Sequence, residues 1–408
     1  MKITTGKSFV CLSMGFVLTL CFAVTASAQK DSPPPPPPTN RLETGGNYQI
    51  GPPPSNMMFQ ISNNETNAGD DNLVWSHSGR MLAVDRSDPN VSGNLNPKYI
   101  CLLDVRNLGN VQTLGARSSA VSNQMYCNIT DWTWNDDRVI FGGQPQVGNP
   151  PVKEKVRLMS CTATGSVAVA PFFRSDPQQN PTNHVYSPSV VFDPTVNKER
   201  LLCLVSTAQN DMPTDNNPAT RVNLYTATFD HGGVPNWTER VQLTAFNTNL
   251  AINSAKWCPE LGTNYQPICN RLIMLVTFPT GPTEIPVDNN RLIVLNGVQG
   301  IIADPATAPT NLDDSRFVVV ETNLTMNSQV SWTYDGQYVM YGRTGTNPPP
   351  APPSSDLYSM RADSSTNTAV KFEVPSSITG GQKQWLAISP DGMKAAFTVD
   401  HKAYVIPL

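Results

Sequence analysis

The chain's 408 residues carry 28 Lys and Arg against 32 Asp and Glu, a formal net charge of −4. A mildly acidic chain does not favour a nucleic-acid backbone as partner, which calls for a basic face. Apolar residues make up 39%, but no run of them beyond residue 28 is long enough to span a bilayer.

Residues 1–28 read as a secretory signal peptide. Lys2 and Lys7 form a basic start, residues 9–24 are apolar, and Ala26-Ser27-Ala28 is a small-residue cleavage pattern. Ser13, Gly15 and Thr19 interrupt the apolar run, which argues against the alternative of a membrane anchor. Leu20 before Cys21 argues against lipidation, which needs a small residue there. Residues 29–56 contain Pro33 to Pro38 and Pro52 to Pro54, so this stretch is expected to be an extended linker.

From residue 57 the chain repeats itself. A short apolar strand, a tight turn and a second apolar strand recur, with anchors at Trp75, Trp134, Phe192, Trp257, Trp332 and Ile388. The turns are clearest at Gly79, at Asp335-Gly336 and at Asp391-Gly392. Asp can bond its own backbone there, and Gly accepts a positive φ. The second strands are expected at 80–84, 138–141, 200–205, 271–276, 338–341 and 394–398. Third strands follow at 99–105, 156–161, 222–229, 291–296, 357–361 and 403–406. Fourth strands fit at 111–114, 166–172, 241–243, 316–321 and 370–374. The sixth unit ends without one, and residues 57–61 are left over to supply it. The expectation is an all-β fold, a six-bladed β-propeller of four-stranded antiparallel blades, over 57–408.

Ser389-Pro-Asp-Gly392 and Tyr334-Asp-Gly336, with Trp75-Ser-His-Ser-Gly79 close behind, resemble the TolB-type propeller repeat. The second, third and fourth units match it weakly. The resemblance implies a propeller near the cell envelope. It also marks a departure, because a proline-rich stretch stands where TolB itself has a small α/β domain. Propellers of this kind serve as binding scaffolds, peptidase lids and lyases, so the fold alone does not decide the function.

The units exceed the usual ~40–45 residues, and the excess lies mainly between second and third strands, at 85–98, 142–155, 206–221, 277–290 and 342–356. Because strands alternate in direction, these connections should share one face with the fourth-to-first connections. Met125, Tyr126, His184, Tyr186 and Phe246 are the candidate binding residues of that face, with packing beneath the loops as the alternative. Loop drift on an unused surface would also produce such insertions.

Six cysteines remain after the leader: Cys101, Cys127, Cys161, Cys203, Cys258 and Cys269. In an exported chain they suggest disulfides. Cys258 and Cys269 flank one turn and are the preferred pair, with Cys101–Cys127 and Cys161–Cys203 following by elimination. Buried free thiols are the alternative.

No nucleophile elbow, Walker or dinucleotide glycine pattern is present. His77 and His231 are expected on one face, His184 and His401 on the other, too few per face for a three-His metal site. No catalytic residue, metal or cofactor is therefore assigned. The expected function is a periplasmic or secreted, non-enzymatic scaffold for an envelope or extracellular protein or a ligand. The alternatives are a carbohydrate-active lyase or glycosidase using acids at the channel mouth, and a structural part of an extracellular assembly. Asn-x-Ser/Thr sites such as Asn236-Trp-Thr238 would matter only in a eukaryotic secretory route.

Overall fold

A computed structural model describes residues 59–60, 69–87, 98–105, 111–112, 125–147, 152–153, 156–163, 170–174, 184–206, 221–247, 250–262, 267–277, 290–324, 330–344, 355–363, 369–372, 374, 381 and 383–408. The expected signal peptide, the expected linker and much of the long connections lie outside the described residues.

The described residues form six antiparallel four-stranded blades of a β-propeller. Blade 1 holds β2 (Asp70–Trp75), β3 (Met81–Ser87), β4 (Lys98–Asp104) and β5 (Val111–Gln112). Blade 2 holds β6 (Met125–Trp132), β7 (Arg138–Val147), β9 (Arg157–Thr162) and β10 (Ala170–Pro171). The short β8 (Val152–Lys153) pairs with the far end of β7, so part of the connection expected at 142–155 is strand. Blade 3 holds β11 (His184–Asp193), β12 (Lys198–Ser206), β13 (Val222–Phe229) and β14 (Val241–Gln242). Blade 4 holds β15 (Ala251–Trp257), β16 (Arg271–Thr277), β17 (Asn290–Asn296) and β18 (Phe317–Leu324). Blade 5 holds β19 (Ser331–Trp332), β20 (Tyr338–Thr344), β21 (Ser355–Arg361) and β22 (Val370–Phe372). Blade 6 holds β23 (Lys383–Ile388), β24 (Lys394–Val399) and β25 (Lys402–Pro407), and its outer strand is β1 (Phe59–Gln60). Phe59 pairs with Val405, so the leftover N-terminal strand closes the ring.

Period-2 alternation explains why the blades stack. In β16, Leu272, Met274 and Val276 enter the core shared with blade 3, while Ile273 and Leu275 enter the core shared with blade 5. Every seam between neighbouring blades has its own apolar cluster of this kind. No blade has a private core, so burial of its apolar faces requires both neighbours.

The anchor tryptophans do more than fill these seams. The indole Nε1 of Trp75 donates to Ala387 O of blade 6 at 3.1 Å, that of Trp132 to Val74 O of blade 1 at 3.1 Å, and that of Trp332 to Lys256 O of blade 4 at 3.3 Å. Each acceptor is the carbonyl just before the preceding blade's anchor. The bond satisfies a carbonyl on the inner edge of the sheet, where no further strand can reach it. This register corrects the anchor expected at Trp134. Trp132 pairs with Val139 as Trp75 pairs with Leu82, and Trp134 lies two residues on, within the turn. With Trp at both positions, sequence spacing alone does not separate them.

The turns follow one scheme. Ser389 Oγ accepts from Lys394 N at 2.9 Å and donates to Asp391, whose Oδ1 accepts from Met393 N at 2.9 Å. Thr333 and Asp335 repeat these roles in blade 5. Gly79, Gly336 and Gly392 have φ of 68°, 66° and 68° and donate to the residue three before. The short hairpin of blade 6 is a two-residue turn, Asp400-His401, with both φ positive, which matches the twist of its strands.

Helix is scarce, as an all-β reading requires. The helix α1 (Val298–Ala303) lies in an excursion between β17 and β18, buries Val298 and Ile301, and receives Asn270 O and Oδ1 as acceptors for its first amides. Blade 4 is thus built up on the turn face by two insertions, this one and the longer turn between Cys258 and Cys269.

Candidate functional site

Three of the five residues expected on the binding face are buried. His184 and Tyr186 are buried in β11, and Phe246 is buried against Phe317 with ring centroids 5.9 Å apart. His184 Nδ1 accepts from Val156 N at 3.1 Å, and Tyr186 OH donates to Ile252 O at 3.1 Å across the seam. Burial pushes the Tyr186 phenol well above its ordinary pKa, so it remains a donor. For these three the packing alternative describes the structure, and they present no surface. Met125 and Tyr126 lie on β6, opposite Pro145 and Gln144, and their side chains fall outside the described residues.

The expected Cys258–Cys269 and Cys161–Cys203 disulfides are corrected: Cys161, Cys203, Cys258 and Cys269 are free and buried. The expected Cys101–Cys127 pair falls partly outside the described residues. Cys258 and Cys269 flank their turn but face opposite seams: Cys258 Sγ lies 3.9 Å from Gly336 O of blade 5, and Cys269 Sγ 3.2 Å from Phe192 O of blade 3. Burial pushes the thiols of Cys161, Cys203 and Cys258 up to about 12, so they are inert. The side chain of Cys127 lies outside the described residues.

The strongest departure from the repeat lies on the turn face of blades 1–3. Elsewhere a turn residue of one blade packs on the glycine of the next: Pro390 lies 3.6 Å from a Cβ built at Gly79, and a Cβ at Gly392 would overlap the ring of Tyr334. Between blades 1 and 2 the corresponding pair is His77 and Asp136. Asp136 occupies the glycine position with φ 61°. Its carboxylate accepts from His77 N at 2.7 Å and Ser78 N at 2.9 Å, and stands 3.6 Å from His77 Nδ1. Burial alone would lower the His77 pKa, but the hydrogen bond and charge of Asp136 outweigh it and the net shift is upward. Burial likewise works to raise Asp136, and its bonds to His77 and Ser78 bring it below the usual range.

The next seam continues the cluster. Trp134 lies 4.5 Å, centroid to centroid, from His77 and 6.2 Å from Phe192. Trp134 N donates to Glu199 Oε2 at 2.8 Å. Asn135 Nδ2 meets His231 Nε2 at 2.8 Å, and His231 Nδ1 stands 3.4 Å from Glu199 Oε1. Asn135 is available for this because Asp137 takes the turn hydroxyl of Thr133 in its place. Glu199 Oε1, Asn135 Oδ1 and Trp134 Nε1 are all buried without a hydrogen bond. Burial raises the Glu199 pKa, the bond from Trp134 N opposes this, and the charge of Asp137 adds to the rise. His77 and His231 do share one face, as the strand order implied. Glu199, Asn135 and Trp134 were not singled out as site residues in sequence. The available signal was Asp136 standing where other units have Gly.

On the opposite face the acids are engaged. Asp70 holds Arg86 through two bonds of 2.6 and 2.9 Å, and Asp71 Oδ1 lies 2.8 Å from His401 Nδ1 and accepts from Trp385 Nε1 at 3.2 Å. Among the described residues no group of three or more His, Cys, Asp or Glu is arranged to hold a metal ion.

No known family profile matches the chain, and no curated protein matches it in sequence. Among solved structures it is similar to an oligogalacturonate lyase from Vibrio parahaemolyticus, at 10% identity over 84% of this chain and 92% of that one, with a TM-score of 0.43. It is similar to prolyl oligopeptidase B from Galerina marginata at 11% identity, over 81% and 38%, with a TM-score of 0.40. A third likeness is to the plexin A4 extracellular region, at 12% identity over 86% and 41%, with a TM-score of 0.43. At such values the likenesses carry no functional argument, and the chain stands as a six-bladed propeller scaffold on its own topology.

Proposed function

We propose that this chain is an exported, non-enzymatic β-propeller, akin to the TolB type, that holds a partner protein at the cell envelope through its long-loop face. The observation supporting a scaffold is that many of its described acids are engaged in holding blades or turns. Asp193 grips Arg200 at 2.6 Å inside blade 3. Asp131 accepts from Val190 N and Trp132 N, and Lys256 reaches it at 3.6 Å from blade 4. Asp335 and Asp391 close turns, and the thiols are buried. The test compares capture of envelope proteins by the intact chain and by variants shortened at 207–220 or 278–289. Loss of specific partners with an unchanged unfolding temperature supports the proposal, and unchanged capture overturns it.

One observation favours a carbohydrate-active enzyme instead. Glu199 is held above its ordinary pKa and Asp136 below it, the separation that an acid and a base require. Release of reducing ends from acidic or neutral glycans, lost in Glu199→Gln, would establish that reading. The scaffold reading predicts no release from either variant.

A further inference from the structure

The seam between blades 2 and 3 holds buried polar atoms without hydrogen bonds. We infer that this seam is a binding site for a guanidinium group, the side chain of an arginine on a partner protein. This goes beyond the long-loop contact, because it lies on the opposite face.

The argument rests on which groups are left over. Glu199 is 3% exposed and its Oε2 is used by Trp134 N, yet its Oε1 has no hydrogen bond. A buried carboxylate oxygen without a donor is costly. Asn135 Oδ1 is a second buried acceptor without a donor. Both belong to side chains that close on His231, whose side chain is 58% exposed. Asn135 Nδ2 donates to His231 Nε2, which places the imidazole proton on Nδ1, toward Glu199 but 3.4 Å from Oε1. His231 therefore covers the acceptors without satisfying them.

A guanidinium would satisfy them. It is planar, offers several N–H groups in a fixed fork, and stacks on aromatic faces. The indole of Trp134, which meets His77 in a tilted contact at 4.5 Å, stands beside these acceptors as an aromatic neighbour for it. The local cations do not compete: Lys198 pairs with Asp230 at 3.4 Å, and Arg138 is bonded to the Gly232 carbonyl. On binding, the exposed imidazole swings out, and the arginine takes its place between Glu199 and Asn135. Trp134 Nε1, the remaining unpaired donor, suits a backbone carbonyl of the same partner segment.

The probes are N-acetyl-arginine amide and its neutral isostere N-acetyl-citrulline amide, titrated by calorimetry or NMR shift into the full chain. His231→Ala should bind the arginine amide at least ~5-fold more tightly than the unaltered protein, since the cover is gone. Glu199→Gln in the His231→Ala background should lose ~10-fold or more, and Asn135→Ala should lose several-fold. Asn135 and His231 stand at the surface, so these variants keep the test open even if Glu199→Gln unfolds. Citrulline binding as tightly as arginine, or His231→Ala gaining nothing, overturns the inference. Partner capture through the long loops is a separate readout and is unaffected by that failure.

Discussion

The seam between blades 5 and 6 and the seams among blades 1–3 solve the same problem with different chemistry. In the first, Gly392 at φ 68° lets the ring of Tyr334 lie flat against the backbone. In the second, Asp136 adopts the same left-handed conformation at φ 61° and meets His77, and Glu199 and Asn135 keep unpaired oxygens under His231. Glycine reaches that conformation without cost and an aromatic contact needs no desolvated charge. The polar seams are thus the more expensive construction. Repetition of the fold makes this visible, because each blade is a control for its neighbours. The difference teaches that blades 1–3 are shaped by something other than stability.

Four changes would sharpen or break that comparison. The largest effect is expected from Gly392→Ala, whose Cβ meets Tyr334 at a strained φ and should cost about 3 kcal/mol or more in chemical unfolding. Next come the anchors. Trp132→Phe leaves Val74 O without its donor, whereas Trp257 Nε1 has no partner to lose. Both share the loss of ring volume, so Trp132→Phe should cost about 1–2 kcal/mol more than Trp257→Phe. Equal costs would deny the indole bonds a role in joining blades.

The third effect depends on pH. His77 has a raised pKa, so its contribution is complete below about 6.5 and is lost as pH rises through the raised value. Asp136 has a lowered pKa, so its contribution is complete above about 4 and is lost as pH falls through the lowered value. Glu199 is raised, which favours the folded state on the acid side and withdraws that favour as pH climbs past about 4.3. The pair should therefore stabilise most between about pH 4 and 6.5. His77→Gln should flatten the decline in unfolding free energy from pH 6 to 8. The smallest effect is expected from Asp136→Gly. Release of backbone strain opposes loss of the pair, and the net change at pH 8 should lie within about 1 kcal/mol of zero.

How far the sequence reached can be traced through the same residues. Six blades and the closing strand at Phe59 were legible because Gly, Asp and apolar alternation recur in each unit, and these are local signals. Trp134 was misplaced as an anchor because two tryptophans stand near one turn, and only cross-strand register separates Trp132 from it. The Cys258–Cys269 pairing failed because nearness in sequence says nothing of which seam a thiol faces. For His184 and Tyr186 the sequence left a binding face and packing beneath the loops both open, because only the extension of β11 through His184 buries the two side chains. Glu199 was invisible because the cluster it belongs to, with Trp134, Asn135 and His231, is drawn from two blades and three separate stretches of chain.

The central claim is that the polar seam is kept for binding and not for stability. Its most direct test is the unfolding temperature of the double variant His77→Pro with Asp136→Gly, which gives blade 1 the proline of blade 6 and blade 2 the glycine of blades 1, 5 and 6. An unfolding temperature at pH 8 equal to or above that of the unaltered protein is the result predicted. A fall of several degrees would contradict it, and would make the seam a structural clasp.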